Sequence, residues 1–270
     1  MENKNKNKSI GVFDSGVGGL TVLKELKLLC PNEKYIYFGD TKNLPSGEKT
    51  KQELIAIAKD IFDFYKELEV KAVVMACNTS SATVYEELKD NYDFEIYPIV
   101  QIVSQFVAQK GYKKVAIMAT NATINSHAYA NEITKYNQNI TVIEQACPQL
   151  VPLVENKIAD SDTSLIIQKY LNPVLSGNPD KIILGCTHYP HLINELGKYT
   201  DKSMFLNPAE DFAQFIIEDL KAKNLLTENS QQITEFYVSS NPEQFKQNAS
   251  NFIGSKIDLP LQKEFLPLEK

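Results

Sequence analysis

The sequence predicts an α/β protein made of two similar αβ domains with mainly parallel sheets. Three observations lead there. Short apolar runs alternate with helical stretches along most of the chain, the rhythm of strands joined by crossover helices. That rhythm starts at Ile10 and restarts at Val115. Two of the runs also end alike, in Ala76-Cys77-Asn78-Thr79 and in Gly185-Cys186-Thr187-His188. At 270 residues the chain can form one large αβ unit or two smaller ones with adequate cores.

Ile10-Gly11-Val12-Phe13 reads as a strand ending in Asp14-Ser15-Gly16-Val17-Gly18-Gly19, and a helical stretch follows from Leu20 to Leu29. The next strand runs from Lys34 to Phe38 and closes with Gly39-Asp40-Thr41. After a loop through Pro45 and Gly47, residues 50–68 carry Leu54, Ile57, Ala58, Ile61, Phe62 and Tyr65. Offsets of three and four place these on one helical face. The strand ending in Cys77 comes next, then a helix from Ser80 to about Asp90. The second half opens with Val115–Met118, running into Ala119-Thr120-Asn121-Ala122-Thr123. Ile140–Ile143 and Lys181–Leu184 are further strands, with helical stretches between them. Aligning Cys77 with Cys186 lays Val73 on Ile182 and Met75 on Leu184, so the halves read as a repeat meeting near residues 95–105. Residues 208–222 read as a helix, and the tail through Pro267 carries no clear pattern.

Composition narrows the function. Hydrophobic content of 43% and charged content of 23% are ordinary for a globular protein. A net charge of −6, with no stripe of lysine, argues against a nucleic-acid partner. Every apolar run is strand-sized, so no membrane partner is expected. Residues 1–9 are polar and read as a disordered tail rather than a signal peptide. The four cysteines are widely spaced, without CxxC, which fits reduced thiols in the cytoplasm.

Cys77 and Cys186 are the chemical candidates. Each stands at the carboxyl end of a strand where a helix is expected to begin, the ligand-binding edge of an open α/β sheet. Backbone N–H groups there favour a thiolate, which would make either thiol a usable base near neutral pH. Cys30 and Cys147 each precede a proline with no base or hydroxyl cluster nearby, and read as core residues. The Asp14–Gly19 loop has the wrong glycine spacing for a dinucleotide, and Asp14 would repel a pyrophosphate; it reads as a loop presenting Asp14 and Ser15 to a small ligand. Gly47-Glu48-Lys49-Thr50 fails as a phosphate loop because Glu48 interrupts it. Of three histidines, His188 stands two residues beyond Cys186 and can assist its proton transfer, whereas His127 and His191 read as structural. No histidine pair has metal-ligand spacing, so no metal is expected.

Taken together, Asp-Ser-Gly-Val-Gly-Gly at 14–19, Phe-Gly-Asp-Thr at 38–41, Ala-Cys-Asn-Thr-Ser-Ser-Ala at 76–82, the run 145–155 and Gly-Cys-Thr-His-Tyr-Pro at 185–190 resemble the glutamate racemase family. The resemblance spans about residues 10–210. It implies two αβ domains facing each other across an active site: 10–98 plus about 208–270, and 99–207. It also implies interconversion of L- and D-glutamate without pyridoxal phosphate or other cofactor, supplying D-glutamate for peptidoglycan, and a possible homodimer. Cys77 would act on D-glutamate beside Asp14, and Cys186 on L-glutamate beside His188 and Glu155. Asp14, Ser15, Asn78, Thr79, Thr120, Thr187 and His188 would bind substrate, together with Ser46 and Gly47. Ser46 departs from the family's usual Pro-Tyr-Gly. The alternatives are a racemase of another amino acid such as aspartate, and a binding protein of the same fold with impaired catalysis.

Overall fold

The computed structural model describes residues 4–155, 162–227 and 233–265 of the chain. The first half runs β1 (Ile10–Asp14), α1 (Leu20–Leu29), β2 (Tyr35–Gly39), α2 (Lys51–Glu67), β3 (Ala72–Met75), α3 (Asn78–Leu88), β4 (Glu95–Pro98) and α4 (Ile99–Gln109). The second runs β5 (Lys114–Ala119), α5 (Asn121–Asn125), α6 (Ala128–Tyr136), β6 (Thr141–Ala146), α7 (Leu150–Val154), α8 (Thr163–Ser176), β7 (Lys181–Gly185), α9 (Ile193–Leu196) and β8 (Phe205–Leu206). Then follow α10 (Ala209–Ala222), β9 (Thr234–Val238), α11 (Pro242–Ile253) and β10 (Leu261–Gln262).

Two parallel sheets result, ordered β10-β9-β2-β1-β3-β4 and β6-β5-β7-β8. Their shared part matches strand for strand: β2-β1-β3-β4 against β6-β5-β7-β8. The strands β1, β2 and β3 are buried along their whole length, as a parallel sheet covered on both faces requires. In register, Phe13 faces Met75 and Asp14 faces Gly39, while Ala119 faces both Ala146 and Gly185. The carboxyl ends of three neighbouring strands therefore lie level in each sheet, and the residues just beyond them share one edge.

One apolar cluster joins the halves. It runs from Val12 and Val74 through Val100 and Val103 of α4 to Val115, Ile117 and Ile183, and takes in Phe212 and Ile216 of α10. Each such side chain, fully buried, contributes roughly 1.5–3 kcal/mol relative to exposure. Thr50 caps α2 with its hydroxyl on the Glu53 N–H, and the Glu53 carboxylate returns to the Thr50 N–H, so the Gly47–Thr50 run that imitates a phosphate loop ends at the N-cap of a capping box. No helix among the described residues is long and apolar enough to cross a membrane.

Three local expectations change. Lys4–Asn7 forms a short 3-10 helix rather than a disordered tail, with the Lys6 carbonyl accepting from Lys71 Nζ at 2.8 Å; residues 1–3 lie outside the described residues. The chain after Cys186 makes a turn and a 3-10 segment, Tyr189–Leu192, instead of an immediate helix. The patternless tail supplies β9, α11 and β10, which extend the first sheet beside β2; Pro267 lies outside the described residues.

Candidate active site

A cavity of about 370 Å³ opens where loops from both sheets meet. Ser15 follows β1; residues 44–48 follow β2; Cys77, Asn78 and Thr79 follow β3. From the other sheet, Thr120 follows β5, the segment 148–155 follows β6, and Cys186, Thr187 and His188 follow β7. Every site residue named from the sequence lines this cavity except Asp14. That carboxylate is fully buried behind the wall, where it accepts from the Gly16 N–H at 3.0 Å and from Thr187 Oγ1 at 3.3 Å. Asp14 thus ties the β1 loop to the β7 loop.

Cys77 is the N-cap of α3, so its sulfur stands at the positive end of an eleven-residue helix, near the Ser80 N–H. The expected lowering of its pKa does not result. Burial pushes the thiol up and the Asp14 carboxylate adds to that, while hydrogen bonds from Ser80 and Ser15 recover only part. Cys77 therefore rests as a protonated thiol. Burial outweighs the helix end because Cys77 is almost wholly withdrawn from solvent and faces the Asp14 carboxylate.

The Cys186 side is built differently. His188 Nδ1 lies 4.0 Å from Cys186 Sγ, and its Nε2 lies 3.3 Å from Glu155 Oε1. Burial disfavours a charged imidazole, but contacts with Cys186 and Glu155, and the nearby Asp14 carboxylate, push the His188 pKa up to about 10. His188 is therefore an imidazolium at neutral pH, and Phe252 packs edge-on against its ring with centroids 5.6 Å apart.

Hydroxyl and amide donors complete the cavity. Thr79 Oγ1 and Thr120 Oγ1 are 2.9 Å apart and link the two halves, with Thr123 behind Thr120 at 3.1 Å. Asn78 is buried, and its Nδ2 has no hydrogen-bond partner among the described residues. The chain contains no arginine, and among the described residues no lysine lines the cavity, so the donors they offer an anionic ligand here are neutral groups and His188. Gly47 lies so close to Thr120 that a Cβ on it would come within 2.7 Å of the threonine Cβ; this close approach carries the β2 loop across to the second half. Glu48 Oε1 accepts from Asn121 Nδ2 at 2.9 Å beside it.

Sequence reasoning missed several lining residues, Leu44, Glu48, Val151 and Pro152 among them. Leu44 adjoins the loop through Pro45 and Gly47, and Glu48, Val151 and Pro152 lie inside runs already quoted, so proximity was the available signal. Cys147 is fully buried, with its thiol donating to the Gln145 carbonyl at 3.4 Å, a core residue as expected. Cys30 is half-buried and lies outside the cavity.

Residues 10–210 match the model of the Asp/Glu/Hydantoin racemase family. The chain is 37% identical over 261 residues to a glutamate racemase of Trichodesmium erythraeum, covering 96% of each protein. It is 40% identical over 256 residues to glutamate racemase 2 of Caldanaerobacter subterraneus, covering 93% of this chain and 96% of that one. The crystal structure of the Francisella tularensis glutamate racemase in complex with D-glutamate superposes with a TM-score of 0.89 at 31% identity, covering 97% of this chain and 98% of that one. The chain belongs to the Asp/Glu/Hydantoin racemase family, among its glutamate racemases, and is by that membership an amino-acid racemase, an isomerase.

Proposed function

We propose that the chain interconverts L- and D-glutamate without a cofactor, using Cys77 and Cys186 in turn as acid and base. The observation that supports this most is that one thiol from each sheet lines the same cavity, each with its own polar neighbours. Inverting a stereocentre by proton transfer needs a base on one face of the α-carbon and an acid on the other. A thiolate takes the α-proton, forming S–H as C–H breaks, and the electron pair left behind spreads into the α-carboxylate. The opposing thiol then gives its proton to the other face, and is left as the thiolate. Acid–base help of roughly 10²–10⁴-fold is too little for so weak a carbon acid. Asn78, Thr79, Thr120 and Thr187 supply the donors that steady the carboxylate as charge builds on it.

The two sides fit different directions. Cys77, resting protonated, is ready as the acid that completes L-to-D conversion. Cys186 works on L-glutamate beside His188, whose positive charge balances negative charge on that sulfur and which Glu155 holds in place. Ser15 after β1, and Ser46 and Gly47 after β2, bind substrate from the first sheet, the last two through backbone groups, so a serine where tyrosine is usual still serves. In this reading D-glutamate made in the cytoplasm feeds peptidoglycan synthesis.

The test is incubation with L-glutamate, and separately L-aspartate, in D₂O without added cofactor. Loss of optical activity with deuterium at the α-carbon of glutamate is expected. Exchange of aspartate alone points to the other substrate, and no exchange of either points to a binding protein. Cys77→Ser and Cys186→Ser should each abolish racemisation; near-normal turnover in either rules out the two-thiol scheme.

A further inference from the structure

Tyr129 lies outside the cavity, yet touches the surroundings of both cysteines. It is a fully buried residue of α6, in the second half. Its hydroxyl donates to Asn78 Oδ1 at 2.7 Å, reaching across to the first half and to the residue that follows Cys77. Its ring packs on β7 one residue before Cys186, where a Cβ on Gly185 would come within 3.2 Å of Tyr129 Cε2. Burial, and then the nearness of Cys186, raise the hydroxyl pKa, so this group stays a donor at any working pH.

The consequence falls on Asn78. A side-chain amide can turn over, exchanging its acceptor oxygen for its donor nitrogen. Donation from Tyr129 engages the oxygen, and the amide nitrogen is left buried without a protein acceptor. Asn78 lines the cavity, so what it can offer a ligand is N–H. We infer that Tyr129 is a positioning residue for the racemisation: its hydroxyl holds the Asn78 amide with the nitrogen free for a substrate carboxylate, and couples that donor to the second half of the molecule. The inference rests on the glutamate reaction proposed above, because it needs an anionic ligand at Asn78. The chain has no arginine, and no lysine among the described residues stands in for the amide, so its orientation matters.

Tyr129→Phe is the variant to test, because it keeps the ring and removes one oxygen. Without the hydroxyl, the amide is free to present its oxygen to the carboxylate. We expect kcat/KM for glutamate to fall by about five- to tenfold in both directions, mostly through KM, since a carboxylate contact is made in ground and transition states alike. Calorimetry should show D-glutamate binding weakened by a similar factor, with the melting temperature close to native. The deciding comparison adds Tyr129→Phe to Asn78→Ala, with slow variants followed by α-proton exchange in D₂O. If Tyr129 acts through Asn78, the second substitution changes kcat/KM by less than about twofold. An equal loss in both backgrounds overturns the inference, because Tyr129 would then act elsewhere. So does unchanged kcat/KM in Tyr129→Phe, or a loss confined to kcat with a lowered melting temperature. Failure of the native enzyme to racemise glutamate would instead refute the proposed substrate.

Discussion

Gly18→Ala is a one-carbon change whose effect can be worked out from distances. A Cβ on Gly18 would lie 2.3 Å from Thr187 Oγ1 and 2.7 Å from His188 Nδ1, whereas ordinary contacts begin at 3.4 Å. Thr187 or the β1 loop must therefore move by about 1 Å, the difference between the first and last of those distances. Neither neighbour can yield cheaply. Thr187 is held to Asp14 at 3.3 Å, and His188 is buried between Cys186 and Glu155. Misplacing a catalytic group by about 1 Å costs on the order of a hundredfold in rate, so we expect kcat/KM to fall about that far in both directions. Gly16→Ala, in the same loop, is the comparison. Its Cβ would meet only the Leu44 side chain, at 3.6 Å, and should cost far less. Racemisation followed by circular dichroism, with melting curves to confirm folding, decides it. Retention of native kcat/KM within about threefold by Gly18→Ala, or an equal loss in both variants, refutes the reasoning.

Two further outcomes are expected. Because the His188 pKa is raised from 6.5 to about 10 in the fold, its contribution to stability is complete below about pH 6.5 and is lost as pH rises through about 10; melting temperatures should fall over that range, and fall less in His188→Gln. Lys71 and Glu33 form a buried ion pair at 2.6 Å, at the opposite end of the first sheet from the cavity, and Lys71 also donates to the Lys6 and Leu225 carbonyls. Lys71→Met strands the Glu33 charge and should cost about 3–5 kcal/mol in urea unfolding, while native turnover persists at low temperature; a loss of activity without a loss of stability contradicts this.

Much of the fold was legible because parallel strands buried on both faces must be short, apolar and separated by helices. That pattern located β1, β2, β3, β5, β6 and β7, and the likeness of the two cysteine motifs reflects the matching strand orders of the sheets. The elements it missed have reasons. β8 and β10 are two residues each, too short to carry a period, and β4 is only partly buried at a sheet edge. β9 and α11 lie in a polar stretch that borrows its environment from β2 and α1.

The site divides the same way. Motifs in the chain named the two thiols and most of the side chains around them, because chemistry is a property of residue type and of position at a strand end. What the sequence could not decide depends on atoms brought together from distant positions. It could not say that Cys77 rests protonated, since enclosure by the fold sets that against the pull of a helix end. It could not separate Gly16 from Gly18, alike in a loop, when only the approach of Thr187 and His188 makes one indispensable. Nor could it pick Tyr129 out of thirteen tyrosines. Residue types determined which chemistry this chain can attempt. The tertiary structure decided which groups are desolvated, how they are oriented and which charges they face, because each of those is a matter of distance in space and not of order along the chain.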